Sequence, residues 1–162
     1  MRQKKRKPMI AKKINDLIKD YDFIAVATCD LEGSPNVAPK FFLRIENNYI
    51  YLVDYVIGRT FQNLVVNPRA SLAVTDKDTL TGYQVNGPVE ILSEGAAYDK
   101  FVDEFQKKEL NLSSRRIVEG VLRGESHKNF EVSFPSKVVI FKVKISEAVE
   151  IRSSGELKRE ML

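Results

Sequence analysis

The sequence predicts a mainly β fold with flanking helices, in which six antiparallel strands close into a small barrel. Three observations predict it. Short segments rich in β-branched and aromatic residues recur along the chain and are separated by turn residues. Their connections are local, and no strand–helix–strand alternation indicates a parallel sheet. Two stretches of helical periodicity interrupt the strands, and the length of 162 residues is typical of one domain.

The N-terminal part of the chain is predicted to hold one helix and three strands. The segment IAKKINDLIKDY places isoleucine and leucine side chains at helical spacing. FIAVATC, from Phe23 to Cys29, is short, apolar and rich in β-forming residues, as buried strands are. NVAPKFFLRI and YIYLVD follow as strands joined by the turn ENN. Pro39 cannot donate to a ladder, so we expect an edge, a bulge, or a place where something other than a strand takes the bonds.

The rest of the chain is predicted to alternate strands with short helices. Residues from Thr60 to Val66 form a short helix, and the strands ASLAVT and GYQVNGPVEIL follow, with a bulge or bend at Gly87-Pro88. We expect one helix over Ala96 to Glu109, a second helix capped by Ser113, and a last strand at KVVIFKVKI. The chain after Ser146 is predicted to be loosely structured.

The positive charge is concentrated at the N-terminus. The net charge is +4, yet residues 1–20 hold eight basic and two acidic residues, which leaves the rest of the chain slightly acidic. We therefore interpret residues 1–9 as a disordered basic leader, residues 10–150 as a single domain and residues 151–162 as a C-terminal tail. Nucleic-acid binding by RQKKRK is the alternative, although no aromatic residue alternates with those cations.

The residue inventory limits both the compartment and the chemistry. Lys12 and Lys13 interrupt any apolar core of a signal peptide, and the one cysteine, Cys29, excludes an internal disulfide framework, so we expect a reducing, cytoplasmic location. His127 is the only histidine, and one histidine with one cysteine cannot assemble a zinc cluster. No nucleophile elbow or phosphate-binding loop occurs. If the protein is an enzyme, a cofactor must therefore carry the chemistry.

The segment GRTFQN, from Gly58 to Asn63, is the strongest candidate for a ligand site. Threonine is a good helix N-cap, and the first turn of a helix leaves N–H groups that favour an anion. Arg59 would add a full positive charge. The residues alone leave two interpretations open, namely a phosphate seat and an ordinary capped turn with a solvated arginine.

The order of three segments, GSPNVAP, GRTFQN and NPRASL, resembles the FMN-binding split-barrel family, which includes pyridoxamine 5'-phosphate oxidase. The resemblance covers residues 16–92. It implies a split β-barrel that holds FMN at a homodimer interface, with the phosphate on Arg59 and Thr60 and with Asn63 beside them. It also implies contacts from the second and third strands and from Gln84 of the partner subunit. The strand residues implied are Ala38, Pro39, Lys40, Leu52, Val53 and Asp54.

The chain departs from the oxidase itself in its C-terminal region. It has no tryptophan, and FKVKISEAVEIRSS lacks the aromatic and basic pattern that surrounds the substrate of that enzyme. The leading hypothesis is an FMN-dependent oxidoreductase whose catalytic residues, substrate and electron donor are unassigned. A deazaflavin or haem is the alternative ligand, with His127 as the one candidate axial ligand of haem. A nucleic-acid-binding regulator that uses the basic leader is the third hypothesis.

Overall fold

The computed structural model describes residues 9–55, 57–124, 135 and 137–162. The helices in this part of the chain are α1 (Met9–Ile18), α2 (Arg59–Val66) and α3 (Ala96–Leu122). The strands are β1 (Phe23–Cys29), β2 (Pro35–Glu46), β3 (Tyr49–Asp54), β4 (Arg69–Asp76), β5 (Thr81–Leu92), β6 (Val139–Lys144), β7 (Glu147–Ile151) and β8 (Leu157–Met161). His127 and the basic leader up to Pro8 lie outside the described residues.

Six strands close into an antiparallel barrel, as the sequence predicts. The order around the barrel is β1, β2, β3, β6, β5 and β4, and β4 returns to pair with β1. Alternate residues of each strand point inward, because successive side chains of a strand leave opposite faces. The barrel core that they fill includes Ile24, Val26, Leu52, Leu72, Val85 and Phe141.

Helix α3 gives the barrel a second apolar layer on its outer face. Phe101 and Phe105 of α3 pack on outward-facing residues of β2, β3 and β6, and the rings of Phe41 and Phe105 lie 5.2 Å apart, edge to face. These strands are therefore buried on both faces over part of their length. Ile140 shares a face of β6 with Lys142 and Lys144 and is fully buried under α3, so that face is solvated only in part.

The division of residues 96–122 into two helices is wrong. One continuous helix of 27 residues runs through the segment, and Ser113 lies inside it instead of capping a new helix. The hydroxyl of Ser114 donates to the carbonyl of Leu110, four residues earlier, at 2.8 Å. A serine bonded in this way is tolerated inside a helix, so the polar NLSS segment does not interrupt α3.

The expectation of a loose chain after Ser146 is also wrong. Residues 147–161 form the β7–β8 hairpin, and β7 pairs with β5 over Gly82 to Asn86. The reason is the length of β5. It has 12 residues, and β6 pairs with it only from Val89 onward, which leaves the first half of that edge for β7.

Gly87 lies where β5 changes partner from β7 to β6, at the predicted bend. A Cβ atom at this position would lie 1.7 Å from the carbonyl oxygen of Lys144. Real Cβ atoms do not approach backbone so closely, so the crossing requires glycine. Within the described ranges, no helix is long and apolar enough to cross a membrane.

Candidate functional site

A cleft opens where β2 separates from β3. The two strands pair only from Phe41, opposite Val53, so residues 35–40 of β2 have β1 on one side and no strand on the other within the described structure. The N-terminus of α2 lies beside this unpaired edge, and the space between them is a cleft of about 280 Å³. Pro39 sits on the unpaired edge, where its missing N–H interrupts no ladder to β3.

The floor of the cleft contains an ion pair between Lys40 and Asp54. The lysine Nζ and the Asp54 Oδ1 are 2.8 Å apart, and the two side chains are 7% and 1% exposed. Both belong to inward-facing rows, Lys40 in the middle of β2 and Asp54 at the end of β3. Burying two charges costs several kcal/mol per ion before their attraction offsets it, so the pair is weak evidence for stability.

The rim of the cleft is the first turn of α2. The helix begins at Arg59 with Gly58 as N-cap, and no side chain caps it, so the expectation that Thr60 is the cap is wrong. The threonine side chain is buried instead, and its Oγ1 accepts a hydrogen bond from Asn36 Nδ2 at 3.1 Å. The first helical N–H to find an intrahelical acceptor is that of Gln62, to the Gly58 carbonyl. The three preceding N–H groups therefore face the cleft end without an intrahelical partner.

The electrostatics of the cleft favour an anion. The Lys40–Asp54 pair is neutral as a unit, whereas the exposed Arg59 and the positive end of the α2 dipole are not balanced by a carboxylate in the lining. Burial, together with the nearby Glu109 carboxylate, raises the pKa of Tyr55. The phenol of Tyr55 is thus a neutral hydrogen-bonding group at the edge of the cleft.

Seven of the ten sequence-predicted cofactor residues meet in this cleft: Ala38, Pro39, Lys40, Val53, Asp54, Arg59 and Thr60. Leu52 points into the barrel core and is fully buried. Asn63 lies on the buried face of α2, where its Nδ2 donates to Thr28 Oγ1 at 3.1 Å. Gln84 lines a different cleft of about 550 Å³, beside Asn86 on β5.

Gly58 of the predicted GRTFQN segment also lines the cleft, and three further lining residues were not assigned to it from the sequence: Phe23, Asn36 and Tyr55. Asn36 stands in the GSPNVAP segment, and its side chain positions Thr60 from across the cleft. Phe23 and Tyr55 carried no sequence signal, because an aromatic residue at the end of a strand is most often a core residue.

The residues present fit a phosphorylated flavin. The arginine and the N-terminus of α2 suit a phosphate, and the unpaired edge of β2 offers backbone groups that a planar heterocycle can hydrogen-bond. The volume of about 280 Å³ lies just below the range of ligand pockets, which run from roughly 300 to 1,000 Å³, so the cleft of one subunit encloses only part of such a ligand. A ligand in this cleft would therefore remain open on one side of a single subunit.

Solved structures with the same fold differ in the ligands that their names state. HupZ from Group A Streptococcus is 25% identical, with a TM-score of 0.61 over 90% of this chain and 96% of that one. An FMN-binding, pyridoxamine 5'-phosphate oxidase-related protein from Nostoc punctiforme is 12% identical, with a TM-score of 0.58 over 100% and 99%. A haem-binding protein from Mycobacterium smegmatis is 15% identical, with a TM-score of 0.59 over 96% of this chain and 59% of that one.

The curated proteins and the family models give different outcomes. No curated protein matches the sequence. The family model described as pyridoxamine 5'-phosphate oxidase matches residues 10–149, which contain the whole barrel and the cleft. The chain therefore belongs to the pyridoxamine 5'-phosphate oxidase family.

Proposed function

We propose that the protein is an FMN-dependent oxidoreductase that binds its cofactor in the cleft between β2 and α2. The observation that supports it most is the combination of an exposed Arg59, the uncapped N-terminus of α2 and the unpaired edge of β2 around one cleft. Membership of the family supports the same ligand class.

The phosphate of FMN would lie at the start of α2. Arg59 supplies a charge-assisted contact. The first-turn N–H groups lie at the positive end of the helix dipole, which favours an anion. Thr60 is held by Asn36, so its backbone N–H is fixed in place before the ligand arrives. Part of the cost of ordering the site is thereby met in the folded protein.

The flavin ring would lie along β2 at residues 38–40. Its redox chemistry, when it is bound, is hydride or electron transfer. The chain's own contribution is to hold the ring edge through backbone groups and to limit the access of water with Phe23 and Tyr55. No side chain in the cleft is required as an acid or base for that role.

We propose that a second copy of the chain closes the open side of the cleft. Apolar side chains are exposed on the elements that form it: Phe23, Val37, Tyr55, Val65 and Val66. Apolar groups exposed on the elements around a ligand site are candidates for an interaction surface. A two-fold homodimer would bring Gln84 of the partner subunit toward the ring, as the family resemblance implies.

Titration with FMN and riboflavin tests the phosphate seat. Hydrogen bonds to charged groups contribute about 1.5–3 kcal/mol, so Arg59→Ala should weaken FMN binding by roughly ten- to a hundredfold. Riboflavin has the same ring and no phosphate, so its affinity should change little. Lys77→Ala, which removes an exposed cation from the β4–β5 turn, is the matched control and should leave both affinities unchanged. Equal losses for both flavins would show that Arg59 supports the ring or the fold.

Light scattering coupled to size-exclusion chromatography tests the shared site. The protein should elute as a dimer at micromolar concentration, and Val65→Glu should both shift it toward monomer and lower its FMN affinity. A monomer that binds FMN as tightly as the dimer would contradict a cofactor site shared by two subunits.

The absorption spectrum of the purified protein separates FMN from the alternative ligands, because flavin, deazaflavin and haem absorb at different wavelengths.

The regulator hypothesis has its own test, a salt titration of DNA binding with and without residues 1–9. We place the protein in the cytoplasm, where a reducing compartment suits the free thiol of Cys29.

A further inference from the structure

A second cleft lies on the other side of the aromatic pair that borders the first. Phe23 lines the cofactor cleft, and its ring contacts that of Phe41, 5.6 Å away, which lines the second cleft. The second cleft has a volume of about 350 Å³ and is formed by α3, β2 and the segment between α1 and β1. We call it the basic cleft, because its lining holds Lys19, Lys108 and Arg115 against a single carboxylate, Asp22.

Lys108 is fixed in the basic cleft by an irregularity of β2. The register between β2 and β3 shifts between Phe42 and Arg44, so Leu43 is an extra residue without a partner on β3. Its carbonyl accepts a hydrogen bond from Lys108 Nζ instead. The same nitrogen lies 5.3 Å from the centre of the Phe42 ring. An ammonium carries three donors, so the Leu43 carbonyl uses only one of them.

The remaining charges leave the basic cleft positive. Arg115 lies 3.4 Å from Asp22, but both side chains are more than half exposed, so the pair is weak. The charge of Glu104 also acts on Lys108, but this carboxylate lies 3.4 Å from Arg44. Lys19 forms no ion pair within the described ranges. Burial lowers the pKa of Lys108, as expected for a cation held against apolar surface without a full counter-charge.

We propose that the basic cleft binds the phosphate or carboxylate group of a small molecule. Lys108 supplies a pre-positioned cation from α3, Arg115 supplies a planar donor fork about two turns further along the same helix, and the amide of Asn111 lies between them. Lys19 reaches the cleft from the opposite wall. This site is separate from the phosphate seat at Arg59 and does not depend on whether the first cleft takes FMN.

The competing interpretation is that Lys108 only completes the β2 bulge. That role explains the bond to Leu43, but it does not explain why Arg115, Asn111 and Lys19 converge on the same space. The two interpretations differ in what Asp22 does. In an anion site Asp22 competes with the ligand for Arg115, so its removal tightens binding, whereas a purely structural lysine is indifferent to it.

The test is a nuclear magnetic resonance titration of the whole protein with phenyl phosphate and with phenylacetate at constant ionic strength, using benzyl alcohol as the uncharged control. Either anion should shift the side-chain amide signals of Asn111 saturably, and benzyl alcohol should not. The anion that binds more tightly identifies the natural group as phosphate or carboxylate.

Variants distinguish a built site from general charge. Lys108→Met and Arg115→Gln should each weaken the anion about ten- to a hundredfold, and Asp22→Asn should tighten it several-fold. Arg115 makes no contact with the bulge, so Arg115→Gln remains informative if Lys108→Met fails to fold. Lys77→Met is the control for net charge and should have no effect.

Three results would overturn the proposal. One is the absence of a saturable shift at Asn111 with either anion. Another is an equal loss of affinity in Lys77→Met and Arg115→Gln. The third is a response confined to Arg59 and Thr60, which would assign the anion to the cofactor cleft alone. The first two results leave the proposal for FMN untouched and the third would support its phosphate seat, so failure of the basic cleft is distinguishable from failure of the cofactor cleft, which the flavin titrations measure separately.

Discussion

The two ends of the barrel each hold a lysine–carboxylate pair, and the pairs differ in what surrounds them. At the cleft end, Lys40 and Asp54 are 2.8 Å apart and both are buried. At the other end, Lys13 of α1 and Glu150 of β7 are 2.6 Å apart, but the lysine is 39% exposed and the glutamate 2%. Glu150 also accepts a hydrogen bond from Arg152, at 2.6 Å. The Glu150 carboxylate therefore interacts with two cations, Lys13 and Arg152.

The ends also treat their helices differently. The start of α1 is closed by Glu160 of β8, whose carboxylate accepts the N–H groups of Ile10 and Ala11. The start of α2 has no side-chain cap, and the neighbouring edge of β2 has no strand. The first-turn N–H groups of α1 are therefore bonded to the β7–β8 hairpin. The first-turn N–H groups of α2 face the cleft instead. This difference supports the proposal of a ligand site at the cleft end, whereas the end at the β7–β8 hairpin contributes only to stability.

The largest effect is expected at Gly87, where β5 changes its pairing partner from β7 to β6. Gly87→Ala would drive a Cβ atom into the Lys144 carbonyl, and only movement of backbone relieves that contact. We expect a loss of more than about 4 kcal/mol in the free energy of unfolding, measured by urea denaturation. Gly82→Ala is the matched control on the same strand, since its Cβ would meet Ile151 at an ordinary 3.7 Å. A similar loss in both variants would contradict the close-crossing explanation.

The next effect is expected at the cleft end. Lys40→Met leaves the Asp54 carboxylate buried without its lysine, which costs about 3–5 kcal/mol of unfolding free energy. The double variant Lys40→Met with Asp54→Leu should recover at least half of that loss, because apolar residues of similar volume replace buried ion pairs well. If the double variant recovers stability but loses FMN, the pair serves the ligand. If the double variant recovers neither stability nor FMN binding, the pair supports the fold.

The smallest effect is expected at the hairpin end. Glu150→Gln removes a buried charge that two cations share, and should cost about 1.5–3 kcal/mol near neutral pH. Lys13→Met, the comparison variant, should cost less than about 1 kcal/mol, because its side chain is partly exposed and Arg152 remains on Glu150.

The contribution of Glu150 also depends on pH in a defined direction. The hydrogen bond from Lys13 is the largest cause that lowers the pKa of Glu150 from its ordinary value of 4.5. The stabilisation is therefore complete above that ordinary value and disappears as the pH falls through the lowered value of the folded protein. Urea unfolding of the unchanged protein and of Glu150→Gln should show that the difference between their free energies of unfolding shrinks in acid. A difference independent of pH would assign the effect to packing.

The sequence predicted the barrel because its strands carry local signals, namely β-forming runs and turn residues. It did not predict the β7–β8 hairpin, because EAVEI and LKREM are rich in charge and their partner edge exists only once β6 takes the far half of β5. The cleft was predicted in large part from the order of GSPNVAP and GRTFQN. The position of Asn63 on the buried face of α2, against Thr28, depends on how the helix is rotated on the barrel. A short motif does not determine that rotation.

The open edge of β2 also bears on how the protein avoids aggregation. A strand with free backbone groups on one side is a template on which another chain can add a strand, and proteins commonly block such edges. Pro35 begins this edge and Pro39 stands within it, and neither has an N–H to offer an incoming strand. The arrangement that leaves carbonyl groups open to a small planar molecule therefore denies a continuous ladder to a polypeptide. The edge can remain open for a ligand without becoming a site of fibrous or amorphous association.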